Sequence, residues 1–269
     1  MHFEHTRLLY FSPTSTTKTI LKQIAKGIGK DVSSIIDITK PDIRKLPAPE
    51  FKNDLVLIGA PVYGGRLPKE AADYIKTIQA SECLAITVVL YGNREFEDAL
   101  LELKNIAVDC GFVPLAAAAF IGEHSFSNNE FSIALNRPDK DDLEKAFSFG
   151  RQIAGLLDQV SNLSDIVPID VPGNFPYKKG MALGSFSFID VMDDCDDCGI
   201  CITACPKNAI DPDDHWATLD EHCIYCCACI KACPVHARVM RNNPIKEKAR
   251  WLSENCALRK QPQTFVPVN

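Results

Sequence analysis

Residues 54–60 read DLVLIGA, one acid followed by an almost unbroken apolar run. A run of this length without polar alternation fits a strand buried on both faces, as in a parallel sheet covered by helices. Outward from it, residues 6–11 (TRLLYF), 32–39, 84–91 and 112–121 also read as strands. Helical periods separate them. Ile20, Ile24 and Ile28 mark one face of a helix over 17–29, and Ala71, Ile75 and Ile78 mark a helix starting at Pro68, with proline at its first position. Phe96, Leu100, Leu103 and Ala107 mark a helix over 95–110, and Leu143, Phe147, Gly150, Ile153 and Leu157 mark one over 139–157. Five strands alternating with helices predict an α/β fold, a doubly wound five-stranded parallel sheet. Such sheets bind ligands outside the carboxyl ends of their strands. The loops at 12–17, 61–67, 91–96 and 121–130 are therefore the candidate site.

The chain has 269 residues, 46% hydrophobic and 24% charged, with a formal net charge of -6. That balance excludes a disordered chain and disfavours nucleic acid as a partner. No apolar run reaches the roughly 18–20 residues of a membrane span. The start, MHFEHTR, has no apolar core or small-residue cleavage site, so a cytoplasmic protein is expected. The sheet domain is assigned to 1–160 and a Pro/Gly-rich linker to 161–188, packed down through Phe175, Tyr177 and Phe186. A small cysteine domain is assigned to 189–241 and a helix with a tail to 242–269. Asn243-Pro244 reads as the cap of that last helix, whose inner face carries Ile245, Ala249, Leu252 and Cys256.

Of 12 cysteines, nine fall between 195 and 233. A secreted disulfide framework fits poorly with so few cysteines elsewhere, and clustered thiols in a reducing compartment more often hold metal. Cys195-x2-Cys198-x2-Cys201-x3-Cys205-Pro206 recurs as Cys223-x2-Cys226-x2-Cys229-x3-Cys233-Pro234, each partner 28 positions on. Thiolates at i, i+3 and i+6 can converge from one loop on one centre, whereas the fourth lies where the chain has left that loop. Four-thiolate zinc usually pairs two C-x2-C knuckles and needs neither feature, but zinc stays open as the alternative. Cys227 aligns with Gly199 and reads as spare; Cys83, Cys110 and Cys256 read as core. From 190 to 222 there are ten acids against Lys207, and from 223 to 260 eight bases against two acids. This reads as a solvated face and a charged tail helix rather than a docking surface.

The first loop, Ser12-Pro13-Thr14-Ser15-Thr16-Thr17, joins a strand to a helix. Free N–H groups and the positive end of the helix dipole suit a phosphate there, and the hydroxyls add donors. The same residues would also serve as an ordinary helix cap. Pro61-Val62-Tyr63-Gly64-Gly65 and Tyr91-Gly92-Asn93-Arg94, with Phe96, place an aromatic beside glycine on two neighbouring loops, a setting that could enclose a flat ring. No Gly-x-Gly-x-x-Gly follows a strand, so a dinucleotide fingerprint is absent. His124, after the fifth strand, lies near the predicted crevice and is a candidate contact to a cofactor or substrate bound there.

The cysteine repeat resembles bacterial-type ferredoxins with two [4Fe–4S] clusters, and all eight ligand positions match. The resemblance implies crossed ligation: Cys195, Cys198, Cys201 and Cys233 hold one cluster, and Cys223, Cys226, Cys229 and Cys205 the other. The first 155 or so residues resemble a flavodoxin, whose S/T-x-T-G-x-T phosphate loop maps onto Ser12, Thr14, Ser15 and Thr17, with Ser15 where glycine is usual. The whole chain resembles the flavodoxin-like/ferredoxin fusion proteins of anaerobic bacteria and archaea. That resemblance implies a small C-terminal α+β bacterial-ferredoxin domain, FMN and two [4Fe–4S] clusters as cofactors, and an oxidoreductase or electron carrier. It implies relay between these centres and external redox proteins such as ferredoxin-type donors or acceptors. A ferredoxin-dependent flavin reductase acting on a small molecule, and a zinc-bound non-redox interaction module, are the alternatives. No acid, base or nucleophile is assigned.

Overall fold

The computed structural model describes residues 3–180 and 186–267; residues 181–185 of the expected linker lie outside the described residues. The first part follows the predicted alternation. Strand β1 (His5–Tyr10) leads to helix α1 (Thr16–Ile28) and strand β2 (Val32–Asp37). Then come β3 (Asp54–Pro61), α2 (Lys69–Ile75), β4 (Cys83–Tyr91), α3 (Ala99–Asp109), β5 (Phe112–Ile121) and α4 (Lys140–Gln159). The five strands are parallel in the order β2-β1-β3-β4-β5. The chain runs outward from β1 to β2 and then back past β1 to β3, so a crevice opens between the carboxyl ends of β1 and β3.

The apolar run that opened the reading is explained by its two faces. Leu55 and Leu57 pack with α1 and α4, whereas Val56 and Ile58 pack with α2 and α3. A strand that meets helices on both sides has no position left for a polar side chain. Helices α1 and α4 touch through glycine: a Cβ on Gly150 would lie 2.1 Å from the Ile24 carbonyl oxygen, and one on Gly27 2.1 Å from that of Phe147.

Several boundaries differ from the sequence reading. Helix α3 starts at Ala99, because Asn93 (φ 63°) and Glu97 (φ 47°) hold left-handed conformations that no helix continues through. Phe96 therefore lies in the loop before it. Pro68 is the cap of α2 rather than its first residue, and Ile78 lies beyond the helix end. The linker packs down through Ile169 and Val171, not Phe175 and Phe186, which are 76% and 41% exposed. Tyr177 does dock: its hydroxyl accepts a bond from the Asn105 amide at 2.9 Å, and the Arg66 guanidinium covers its ring.

The cysteine module contains β6 (Ile189–Val191), α5 (Ile200–Ala204), β7 (Ile210–Asp211), β8 (Ala217–Thr218), α6 (Ala228–Ala232) and β9 (Arg238–Met240). Strand β9 pairs antiparallel with β6, and β7 with β8. Three pairs of residues 28 apart share a left-handed backbone: Asp197 and Tyr225, Gly199 and Cys227, Asn208 and His236. The sequence duplication is thus a duplication of backbone path. Helix α7 (Pro244–Asn255) is capped as expected, with the Asn243 side chain accepting from the N–H groups of Ile245 and Lys246.

After α7 the chain returns to the sheet domain, which the sequence did not suggest. Strand β10 (Gln263–Phe265) adds antiparallel to β5, giving a sixth strand. Arg259 reaches Asp139 at 2.6 Å and Asp141 at 3.0 Å, and it holds the Asp139 carboxyl well below its usual range. The modules also share their cores. Ile224, Cys226 and Ala228 belong to the α2/α3 side of the sheet, while Phe126, Phe131 and Ile133, from the loop after β5, pack with Phe188, Tyr225 and Leu252. Ion pairs ring the joint, Lys207 to Glu70 at 2.7 Å and Lys231 to Glu123.

Gly150→Ala tests the helix contact. Alanine is the better helix former by about 1 kcal/mol, but its methyl would meet backbone that cannot rotate away. Overpacking outweighs propensity, and a net loss of about 2 kcal/mol is expected in denaturant unfolding.

Candidate functional site

The loop after β1 is built by its own hydroxyls. The Ser12 N–H donates to Thr39 Oγ1 at 2.7 Å, and Ser12 Oγ accepts from the Lys18 N–H at 3.1 Å. Ser15, at φ 65°, turns the chain into α1 and its N–H returns to the Ser12 carbonyl. The first N–H groups of α1 have no partner within the helix. Thr17 Oγ1 is buried with no hydrogen-bond partner among the described residues. The loop thus presents unsatisfied donors at the positive end of a helix dipole.

A cavity of about 400 Å³ opens beside this loop. It brings together Thr14, Thr16, Pro61, Val62, Tyr63, Gly64, Gly65, Tyr91, Gly92, Arg94 and His124 from four loops. Ser12, Ser15 and Thr17 shape the first loop without lining the cavity. Phe96 packs behind Tyr91, ring centroids 5.5 Å apart. The Asn93 amide turns away and donates to the carbonyls of Cys256 and Leu258, at 2.6 and 2.8 Å. Further lining residues, Glu95, Glu123, Ser125 and Phe126, come from the loops named above, and others come from segments that the sequence reading left out. Lys178, Lys179 and Gly180 precede the cysteine module, and Ile224, Tyr225, Lys248 and Leu252 belong to it and to α7. No local motif marks these residues, because only the docking of the two modules puts them there.

Tyr63 is presented by a tight turn. Its N–H and carbonyl exchange bonds with Arg66, and both central residues, Gly64 (φ 61°) and Gly65 (φ 83°), need the left-handed backbone of a type I′ turn. A Cβ on Gly65 would strike the Glu97 carboxylate, 1.7 Å away. The Tyr63 hydroxyl is hydrogen-bonded to the Ser125 side chain, and the phenol lies close enough to Cys226 and Cys227 to feel their charge. Burial first, then Cys226, push its pKa well above the ordinary value. Tyr91 is pushed up to about 12, mainly by burial.

His124 sits flat on the backbone of Gly92: a Cβ there would lie 2.2 Å from the imidazole Cδ2. Its Nδ1 accepts the Phe126 N–H at 3.0 Å, so the neutral ring carries its proton on Nε2. Burial, then Lys231 and Arg94, lower the pKa to about 4.

The cysteines of the two repeat copies lie close enough to interact with one another. Cys205 interacts electrostatically with Cys223, Cys226 and Cys229, and Cys233 with Cys198. Each fourth cysteine therefore faces the other copy's loop. Cys226 is buried in the core on the α2/α3 side of the sheet, Cys201, Cys229 and Cys233 are also buried, and Cys198 is exposed. A tetrahedral zinc ion with bonds of 2.3 Å needs sulfurs about 3.8 Å apart. Among the described residues no three cysteine sulfurs lie within 4.8 Å of one another; the trio that does is Asp139, Asp141 and Asp142. As placed, the thiols are spread more widely than a single tetrahedral zinc ion requires. Burial, then repulsion from Cys229, Cys205 and Asp220, push Cys223 up to about 12. Cys227 occupies the left-handed cap position that Gly199 fills in the first copy.

Residues 189–211 match the 4Fe-4S binding domain family. The chain is 32% identical over 92 residues to a flavodoxin of Klebsiella pneumoniae, covering 34% of this chain and 50% of that protein. It is 32% identical over 94 residues to flavodoxin 1 of Escherichia coli (strain K12), covering 35% and 51%. The N-terminal part of the chain is thus similar to flavodoxins, and a short stretch of the cysteine module matches a 4Fe-4S binding domain family. It spans about half the length of the curated flavodoxins it matches. Among solved structures, the flavodoxin-like domain is similar to a Fusobacterium nucleatum flavodoxin bound to flavin mononucleotide, at 16% identity and TM-score 0.38, covering 56% of this chain and 98% of that one. A flavodoxin from the domain Archaea gives 14% and 0.36, covering 57% and 99%. No helix among the described residues is long and apolar enough to cross a membrane.

His124 makes the apoprotein acid-sensitive. Its folded pKa of about 4 lies below the ordinary 6.5, so the unfolded chain binds the extra proton first and stability falls as pH drops from 6.5 toward 4. The loss reaches about 3 kcal/mol. His124→Gln should flatten that part of the pH–stability curve, measured by denaturant unfolding with the imidazole titration followed by NMR.

Proposed function

We propose that the chain is an intramolecular electron relay in which two [4Fe–4S] clusters of the 4Fe-4S domain exchange electrons with FMN held by the flavodoxin-like domain. The observation that carries this reading is the shared wall. Ile224 and Tyr225 line the cavity, and the next residue, Cys226, is buried in the same apolar cluster against which Tyr63 packs.

The residues fit both groups. The volume suits a cofactor pocket. Thr14, Thr16 and the first amides of α1 would hold a phosphate, with Thr17 Oγ1 a further unsatisfied group beside them. Tyr63 and Tyr91 would flank the ring, with loop amides near 64–66 and 92–94 close by. His124 offers an Nε2–H that stays in place above pH 4, because its Nδ1 is already engaged. When bound, FMN supplies one- or two-electron exchange. The crossed sets Cys195, Cys198, Cys201, Cys233 and Cys223, Cys226, Cys229, Cys205 would each hold one cluster. The first set is the outer one, with Cys198 exposed where a redox partner protein can reach it; the second is the inner one, beside Tyr63. Fixing the modules together replaces a bimolecular encounter by an intramolecular step.

Anaerobic reconstitution with iron, sulfide and flavin tests the reading. The expected product holds two cubane clusters and one FMN per chain; zinc in place of iron, or no flavin, overturns it. Cys205→Ala then tests the crossing. It should lose the inner cluster, roughly half the iron, and keep the outer one beside its own loop; loss of the outer cluster instead refutes the assignment.

A further inference from the structure

Arg238, the first residue of β9, is 2% exposed, and no carboxylate among the described residues pairs with it. Its guanidinium donates to the Trp216 carbonyl at 2.7 Å and to Thr218 Oγ1 at 2.6 Å, while Nε has no partner. Arginine cannot shed its proton in a protein, so this is a permanent buried charge. Such a charge is costly unless an anion faces it. The groups that do face it are sulfurs. One guanidinium nitrogen lies 3.9 Å from Cys201 Sγ, and the same side chain lies close enough to Cys229 to act on its charge. Cys201 and Cys229 occupy equivalent places in the two repeats, 28 residues apart. The residue equivalent to Arg238 in the first copy is Ile210, apolar and 6% exposed. The duplication is broken here, and a single cation serves both halves.

We propose that Arg238 is the shared counter-charge of the two clusters and raises the reduction potential of both. The inference rests on the two-cluster reading above. A four-thiolate cluster gains one negative charge for each electron it takes up, and a fixed cation in a low-dielectric site favours the more negative state. Because the guanidinium acts on a sulfur from each set, both couples feel it. Arg238 acts through the cysteines and is a positioning and tuning residue, not a catalytic one.

The test is an anaerobic dithionite titration of the full reconstituted chain, with each cluster followed by EPR and iron counted in every sample. Arg238→Gln keeps amide donors but removes the charge. It should lower both midpoints by tenfold or more in the one-electron equilibrium constant, about 59 mV each. Arg238→Lys keeps a charge that cannot face both sulfurs at once, so smaller falls are expected. Iron-replete Arg238→Gln with unmoved midpoints overturns the proposal, as does a fall confined to one cluster. So does Arg238→Lys falling as far as Arg238→Gln, which would implicate hydrogen bonding rather than charge. If Arg238→Gln holds no iron, Arg238→Met, an uncharged side chain of similar length, takes its place: lowered midpoints of both clusters support the proposal and wild-type midpoints overturn it. A wild-type chain without clusters fails at the iron count instead, which overturns the two-cluster reading and this proposal with it.

Discussion

The 4Fe-4S domain is held against the carboxyl ends of β3 and β4 by apolar burial, and the site depends on that contact. Ile224, Cys226 and Ala228 are packed into the core on the α2/α3 side of the sheet. Burying such side chains stabilises the joint by about 1.5–3 kcal/mol each for the larger ones, which outweighs the exposed ion pairs around the rim, worth at most about 1 kcal/mol apiece. The ion pairs fix orientation and the apolar contact fixes distance. Because the contact includes a cysteine of the inner set, the separation between thiol and cavity is set by core packing rather than by a flexible tether.

Burial and charge grade the cysteine module from outside to inside. Cys198 is exposed, with Asp196 and Asp197 close by: the Asp196 carboxylate accepts the Cys198 N–H, and Asp197 lies 3.8 Å from Cys195 Sγ. Cys226 and Cys229 are buried, and Arg44 lies near enough to Cys205 to feel its charge. Acidic side chains thus lie close to Cys195 and Cys198, while Arg44 approaches Cys205 and Arg238 lies between Cys201 and the second copy.

Much of this was legible in the sequence because the signals are local. The run at 54–60 announces a strand with two covered faces, the helical periods announce the layers, and the cysteine repeat announces a duplicated backbone path. The boundaries that shifted did so at single residues: left-handed Asn93 and Glu97 delay α3, a conformation no apolar period encodes. Asn93 illustrates the limit at the site. Its place beside Gly92 suggests a ring contact, yet its amide is engaged by the returning tail. Lys178, Tyr225, Lys248 and Leu252 reach the cavity through contacts between residues far apart in the chain, and no spacing rule carries that information. Strand β10 was invisible for another reason: three residues pair with a neighbour some 145 positions earlier, too short a segment to show any alternation.

That short strand has a consequence for how the molecule behaves among its own copies. A parallel sheet ending at β5 would leave a row of unpaired amides and carbonyls along an alanine-rich, flat edge, a template for stacking onto another chain. Gln263, Thr264 and Phe265 occupy that row opposite Ala119, Ala118 and Ala117. The last stretch of the described chain is therefore a guard against aggregation as well as a fastening, and any event that frees it uncovers a sticky seam at the same moment that it loosens the cavity wall.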